Sequence, residues 1–159
     1  MSKEAKTNAM RFLDRNKISY TTHTYDCSDG KIDGLAVAEK LNQDKEKVFK
    51  TLVTEGHSKN YFVYVVPVAE ELDLKKCAKA ANEKSVEMIH VKDINKITGY
   101  IRGGCSPLGM KKLFKTFIHE TALNFDTIIF SGGRCGSQIE MNPKDLENLI
   151  SCTFTNIIK

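Results

Sequence analysis

Two short loops in this sequence combine paired glycines with serine, cysteine and arginine. They are the segments IRGGCSPLG at residues 101–109 and SGGRCG at residues 131–136. Paired glycines let a backbone approach a ligand closely and present amide N–H groups to a carbonyl or phosphate oxygen. A single Gly-Gly pair is more often only a turn. Two such loops with flanking Arg and Ser shift the balance modestly toward a site that binds a carbonyl or phosphate group.

A lysine interrupts a segment that is otherwise typical of an apolar strand, VFKTLV at residues 48–53. Lys50 in this segment must either extend its ammonium group to solvent or face a polar cleft. The alternation of side chains along a strand leaves both placements equally open. Lys50 is therefore a candidate for a functional cation.

Cys105 and Cys135 lie beside the two glycine pairs, where a loop amide or Arg134 could lower the pKa of a thiol. A nucleophilic cysteine also needs a positioned base, and the sequence alone cannot place His23, His57, His90 or His119 near either thiol. A thiol enzyme therefore stays a minor alternative. The five cysteines form no Cys-x-x-Cys pair and the four histidines no His-Glu-x-x-His motif. We expect neither a disulfide framework nor a metal site.

Composition limits the class of protein and its partners. A chain of 159 residues with 41% hydrophobic and 28% charged residues is typical of one globular domain, which we place at residues 1–159. The net charge of +4 is too small for strong nonspecific DNA binding but is compatible with RNA. No apolar run approaches the length of a membrane span. We expect a cytoplasmic protein with no membrane segment.

Lysines form two clusters along the chain. Lys75, Lys76 and Lys79 lie in one segment, and Lys111, Lys112 and Lys115 in another. Either cluster could contact phosphate groups, although a solvated surface is the commoner explanation of each one alone.

Hydrophobic periodicity predicts an α/β fold with a mixed sheet. The run YFVYVVP at 61–67 is the strongest strand signal, and its continuous apolarity indicates a central strand buried on both faces. Asp73 and Asn142 are predicted helix N-caps. The other strands are predicted near 18–25, 48–54, 85–89, 115–118, 127–131, 138–141 and 153–157, and the helices at 3–16, 34–41, after 73, near 91–97 and at 143–150.

The ordered set of motifs resembles the YbaK/EbsC family, the free-standing relatives of the editing domain inserted in bacterial prolyl-tRNA synthetase. The resemblance runs over nearly the whole chain, and the order of the motifs is more specific than any one of them. The segments that carry it are KISY at 17–20, HTY at 23–25, VFKTLV at 48–53, VPVA at 66–69, LDLKK at 72–76, TGY at 98–100, GGCSPLG at 103–109 and SGG at 131–133.

The resemblance implies a compact α/β domain with a barrel-like mixed sheet surrounded by helices, and a cleft for the 3′ end of a charged tRNA. It implies an aminoacyl-tRNA deacylase without a cofactor. The expected substrate is Cys-tRNA(Pro), with Cys-tRNA(Cys) as a second one, and the expected protein partner is a transiently bound prolyl-tRNA synthetase. The thiol of the substrate cysteine would attack its own carbonyl carbon and form a thiolactone.

The same resemblance assigns residues to the site. Lys50 matches the essential lysine of the family, and Gly103 with Gly104 matches the loop whose amides hold the aminoacyl end. The side chains expected to line the same cleft are those of Tyr25, Ser131 and Gln138. The sequence departs from the family pattern at Cys135, where a basic residue often stands, and at Gln138, where some members have Asp. An amide cannot act as a base.

Three alternatives stay open at this stage. Related editing domains remove alanine or another small amino acid, and a difference of one methylene is worth only about 1 to 3 kcal/mol in a pocket. A noncatalytic module could bind tRNA or a synthetase without chemistry. A thiol enzyme could use Cys105 or Cys135.

Overall fold

The computed structural model describes residues 5–159, in which five α-helices and eight strands are interspersed. The helices are α1 (Asn8–Arg15), α2 (Gly34–Lys40), α3 (Leu74–Ala80), α4 (Ile94–Thr98) and α5 (Leu146–Leu149). The strands are β1 (Thr21–Thr24), β2 (Phe49–Gly56), β3 (Tyr61–Pro67), β4 (Val86–Met88), β5 (Lys115–His119), β6 (Ile128–Ser131), β7 (Ser137–Met141) and β8 (Cys152–Thr155). Short 3-10 helices lie at Val91–Asp93, Glu120–Asn124 and Pro143–Asp145.

Strand β3 lies at the centre of a five-stranded sheet of order β4-β2-β3-β5-β8. It pairs antiparallel with β2 and parallel with β5. Val63 and Val65 belong to one hydrophobic cluster, and Tyr64 and Val66 to another on the opposite face. Burial on both faces explains why the strand has no polar alternation. The predicted central strand is confirmed.

A second sheet of three antiparallel strands, in the order β1-β7-β6, packs beside the first. A parallel bridge between Val48 and Ile129 joins them, and the Ile129 N–H donates to the Lys47 carbonyl over 3.0 Å. The predicted mixed α/β fold is confirmed. Among residues 5–159 the strands form two sheets joined at this bridge and do not close into one barrel.

Helix α1 begins later than its apolar periodicity suggests. The predicted helix starts at Lys3, but residues 3 and 4 lie outside the described part of the chain. The N-cap is Thr7, whose hydroxyl oxygen accepts from the Met10 N–H over 3.2 Å. The same hydroxyl donates to the Gly132 carbonyl. The cap therefore ties α1 to the second glycine loop.

Residues 17–20, between α1 and β1, do not belong to a strand. Lys17 adopts a positive φ of 58°, and the Ile18 N–H donates to the Leu13 carbonyl over 3.1 Å. These residues close the helix and cannot also join a strand. The strand predicted from Ile18 therefore begins only at Thr21.

Both predicted N-caps are confirmed. The Asp73 carboxylate accepts from the backbone N–H groups of Lys75 and Lys76, at the start of α3. The Asn142 side chain accepts from the Lys144 N–H, where Pro143 begins a 3-10 turn that leads into α5. No helix within residues 5–159 is long and apolar enough to cross a membrane.

Candidate functional site

A cleft of about 270 Å³ lies where the two sheets meet. Strand β2 of the larger sheet and strands β6 and β7 of the smaller sheet line it, together with α2 and the loop at 101–109. Five of the six residues that the sequence assigned to a site lie on its wall: Tyr25, Lys50, Gly103, Ser131 and Gln138. Apolar residues form much of the remaining surface, among them Val37, Phe49, Val68 and Phe130.

Lys50 sits in β2 opposite Val66 and is half-buried, next to the buried Phe49. It therefore lines the cleft rather than an open solvated face. A hydrogen bond from Lys159 lowers the pKa of the Glu71 carboxyl most, and the charge of Lys50 lowers it further. Lys50 thus lies within electrostatic range of Glu71.

Two further charged residues, Arg102 and Asp33, line the cleft and were not assigned from the sequence. The Asp33 carboxylate accepts from the Ala36 N–H over 3.0 Å as the N-cap of α2. Two cations, Lys50 and Arg102, and one carboxylate, that of Asp33, therefore line the cleft. The resulting positive net charge suits an anionic ligand. The sequence pointed to Arg102 only as an arginine that flanks the first glycine pair, and it gave no signal for Asp33, an ordinary loop residue until the fold brings it to the cleft.

The two glycines of the first loop have different surroundings. Gly103 adopts a φ of 84°, and its N–H has no hydrogen-bond partner among residues 5–159. The Gly104 N–H donates to the Ile101 carbonyl over 2.9 Å. A β-carbon at Gly104 would lie 2.8 Å from the α-carbon of Arg134. Gly103 therefore offers an amide to a ligand, whereas Gly104 lets the two glycine loops pack together.

Tyr25 connects the cleft with the second glycine loop. Its backbone N–H donates to the Gly136 carbonyl over 3.0 Å. Burial raises the pKa of the Tyr25 phenol above its ordinary value. The phenol stays protonated at neutral pH and can donate a hydrogen bond to a bound ligand.

Ser131 and Gln138 lie opposite each other in the β6–β7 ladder. The Ser131 hydroxyl accepts from the Gly133 N–H over 3.2 Å. The buried Gln138 amide exchanges two hydrogen bonds with Gln43, one of 2.8 Å and one of 3.3 Å. Sequence reasoning missed Gln43, since the pair is separated by 95 positions. Gln43 therefore holds the Gln138 side chain in place in the cleft wall.

Comparison with known proteins identifies the family to which this chain belongs. Residues 34–149 match the model of the aminoacyl-tRNA editing domain. A proposed Cys-tRNA(Pro)/Cys-tRNA(Cys) deacylase, EbsC of Enterococcus faecalis strain V583, is 46% identical over 154 residues, which cover 97% of this chain and 94% of that protein. The chain belongs to the aminoacyl-tRNA editing domain family.

Solved structures confirm the fold of this editing domain. A crystal structure of a hypothetical protein has a TM-score of 0.87 at 15% identity and covers 96% of this chain and 99% of its own. The crystal structure of a proposed trans-editing enzyme for prolyl-tRNA synthetase has a TM-score of 0.81 at 17% identity, with coverage of 98% and 99%. At these identities the likeness concerns the fold alone.

The cysteines of the editing domain are weak candidates for a nucleophile. Burial raises the pKa of the Cys105 thiol, which lines the cleft, to about 11. Burial and contact with Cys27 also raise the pKa of the Cys135 thiol. No histidine within residues 5–159 hydrogen-bonds a cysteine; His23, for example, binds Glu140 at 2.7 Å. Both thiols are protonated at neutral pH, and the thiolate is the reactive form.

Glu140, two residues after Gln138 in β7, gathers three partners from separate segments. Its carboxylate contacts His23 Nε2 at 2.7 Å and Lys47 Nζ at 2.8 Å, and it accepts from the Thr127 hydroxyl. Burial raises the pKa of this carboxyl, but the bonds from Lys47, Thr127 and His23 outweigh it and bring the pKa to about 2. The cluster holds the smaller sheet against the segment that enters β2.

Replacing Glu140 with Gln is expected to destabilise the domain at pH 7 by roughly 1 to 3 kcal/mol. The folded pKa of Glu140 lies below its usual value of 4.5. Its contribution is therefore complete above pH 4.5 and is lost as the pH falls toward 2. Urea unfolding of wild type and Glu140→Gln between pH 7 and pH 3 should show two curves that converge at acid pH. The exposed Glu87→Gln should match wild type throughout. A constant gap between wild type and Glu140→Gln would contradict this account.

Proposed function

We propose that this editing domain is a trans-editing deacylase that removes cysteine from Cys-tRNA(Pro) and also from Cys-tRNA(Cys). The carrying observation is the cleft that Lys50 and the Gly103 amide, which has no partner among residues 5–159, line together with aliphatic and aromatic side chains. The name of the relative at 46% identity, a Cys-tRNA(Pro)/Cys-tRNA(Cys) deacylase, supports the substrate. The family match supports the reaction class.

An aminoacyl ester needs little activation by the protein. The site must hold the carbonyl group, stabilise negative charge on its oxygen and bring a nucleophile to its carbon. The Gly103 N–H and the Lys50 ammonium are suited to the carbonyl oxygen, and the Tyr25 phenol to a neighbouring polar group. A cleft of about 270 Å³ suits a small amino acid joined to the terminal ribose.

The nucleophile in this proposal is the substrate's own thiol. Its sulfur forms a bond to the ester carbonyl carbon, the bond from that carbon to the ribose oxygen breaks, and the thiol proton passes to the released ribose oxygen. The products are a thiolactone and free tRNA. The protonated state of Cys105 and Cys135 and the amide at position 138 support a step that uses no nucleophile or base from those residues.

The test compares cysteinyl, seryl and alanyl esters on the same tRNA(Pro), with release of the amino acid followed over time. We expect the cysteinyl ester to disappear at least about tenfold faster than the seryl ester, which is nearly the same size but lacks sulfur. Equal rates for the cysteinyl and seryl esters would mean that a bound water molecule, and not the substrate thiol, is the nucleophile. Selective loss of alanine would move the domain to an alanine-editing group. If none of the three esters is cleaved, the domain is a noncatalytic binding module.

The double variant Cys105→Ser, Cys135→Ser is expected to keep kcat/KM for cysteinyl-tRNA within about threefold of wild type, because neither thiol is ionised at neutral pH. The same time course measures it. Cys77→Ser is no useful control, since that thiol is fully buried. The half-buried Cys152→Ser, outside the cleft lining, serves instead. Loss of activity in the double variant but not in Cys152→Ser would support a thiol enzyme that uses Cys105 or Cys135.

We further propose that prolyl-tRNA synthetase is a transient partner and that the domain works in the cytoplasm. The resemblance to the editing domain of that synthetase supports the partner, and one structural neighbour is described as a proposed trans-editing enzyme for the same synthetase. Charged tRNA in the cytoplasm supplies the substrate. Co-sedimentation of the two proteins with and without tRNA(Pro) tests the partner.

A further inference from the structure

A groove of about 510 Å³, larger than the cleft, lies between α1 and the chain at 107–116. We call it the α1 groove. Its lining includes Phe12 and Arg15 from α1 and Lys112, Leu113 and Phe114 from the facing segment. The groove takes no part in the function proposed so far.

The rim of the α1 groove is positive and its floor is apolar. Arg15 and Lys112 lie along it as exposed cations, whereas the Arg11 guanidinium already donates to the Lys6 carbonyl and the Asn8 side chain. The half-buried rings of Phe12 and Phe114 form the apolar part of the lining. The carboxylate of Asp14, which also lines the groove, is paired with Lys6 Nζ at 2.6 Å. A rim of cations over aromatic side chains suits a polyanion whose ribose or base groups can rest on the floor.

One loop forms a wall of both the cleft and the α1 groove. Gly103 and Cys105 line the cleft, and Pro107 and Gly109 line the groove. The loop is held against α1, because a β-carbon at Gly109 would lie 2.7 Å from the carbonyl carbon of Asn8. The cleft and the α1 groove are therefore linked through one loop whose position α1 fixes.

We propose that the α1 groove binds the part of the tRNA acceptor arm that adjoins the aminoacyl end held in the cleft. This inference rests on the proposed function. The charge of the rim and the shared loop favour RNA over a protein occupant. The other lysine cluster is a weaker candidate, because Lys75, Lys76 and Lys79 line neither the cleft nor the α1 groove.

The test reverses two exposed charges of the groove in the variant Arg15→Glu, Lys112→Glu. The matched control, Lys75→Glu, Lys79→Glu, changes the net charge equally on the exposed side of α3. Each variant is assayed on full-length Cys-tRNA(Pro) and on cysteinyl-adenosine ester, which carries only the reacting end. A neutral pair, Arg15→Gln, Lys112→Gln, guards against damage from the introduced carboxylates, and matching melting temperatures confirm folding.

We expect the groove variant to lower kcat/KM for the tRNA about tenfold or more, mainly through KM, and to leave the adenosine ester within about twofold. Its slope of log affinity against log salt should fall by about two, one per lost phosphate contact. The neutral pair should show a smaller loss in the same direction, and the α3 control should resemble wild type.

Other outcomes overturn the proposal. Equal loss on both substrates would mean a structural defect, and equal loss in the α3 control would mean a general charge effect. Unchanged tRNA kinetics with weakened co-sedimentation of prolyl-tRNA synthetase would assign the groove to a protein. If wild type cleaves neither ester, the proposed function fails, but the affinity of uncharged tRNA(Pro) for wild type and variant still decides the groove.

Discussion

Replacing Lys50 with alanine is expected to lower kcat/KM for Cys-tRNA(Pro) about 100-fold or more, the usual loss when a group that stabilises an oxyanion is removed. Lys50 is a cation of the cleft lining, to which Gly103 also belongs. Charge that develops on the carbonyl oxygen in a partly dry cleft depends strongly on such a group. The measurement is single-turnover release of cysteine by wild type and Lys50→Ala.

The affinity of Lys50→Ala for uncharged tRNA(Pro) should stay within about threefold of wild type, since uncharged tRNA lacks the ester carbonyl that Lys50 is proposed to contact and keeps its phosphate contacts. The exposed Lys45→Ala, in the turn just before β2, is the matched control and should keep full activity. Lys50→Arg should recover only part of the rate, because a guanidinium group differs from an ammonium group in shape. Full activity of Lys50→Ala would remove this lysine from the chemistry.

Local features of the fold were predictable because their causes are local. The burial of β3 follows from its uninterrupted apolar run, and the caps at Asp73 and Asn142 follow from side chains beside the turns they satisfy. The division into two sheets was not predictable. The parallel pairs β3–β5 and β5–β8 join segments distant in sequence, and periodicity carries no record of which strands become neighbours.

The site shows the same limit. Strand alternation allowed the Lys50 side chain to face either solvent or a cleft. Only the fold, which sets β2 beside β6 and β7, shows that Lys50 lines the cleft. The two glycines at 103 and 104 were predicted to act together as amide donors. The structure separates them, since the Gly104 N–H is already bonded to Ile101. The support of Gln138 by Gln43 depends on a contact across the chain, which residue types alone do not reveal.

The variant Gly104→Ala is expected to lower kcat/KM for Cys-tRNA(Pro) about tenfold or more and to destabilise the domain by roughly 1 to 3 kcal/mol, as overpacking usually does. The new β-carbon would lie 2.8 Å from the Arg134 α-carbon and 3.1 Å from its carbonyl carbon. These are backbone atoms, so the clash is relieved only if one glycine loop moves. Such a movement shifts Gly103 or Ser131 on the cleft wall. Thermal unfolding and the deacylation time course measure both effects.

Gly30→Ala separates this steric effect from the general cost of replacing a loop glycine. Gly30 has a φ of 78°, but no atom lies within 4 Å of the place that a β-carbon would occupy. Its substitution should cost stability of about 1 kcal/mol through backbone strain and leave kcat/KM within about twofold. If Gly104→Ala behaves like Gly30→Ala, the contact between the loops does not position the site. If activity falls only in Gly104→Ala, close packing of the loops sets the geometry of the cleft.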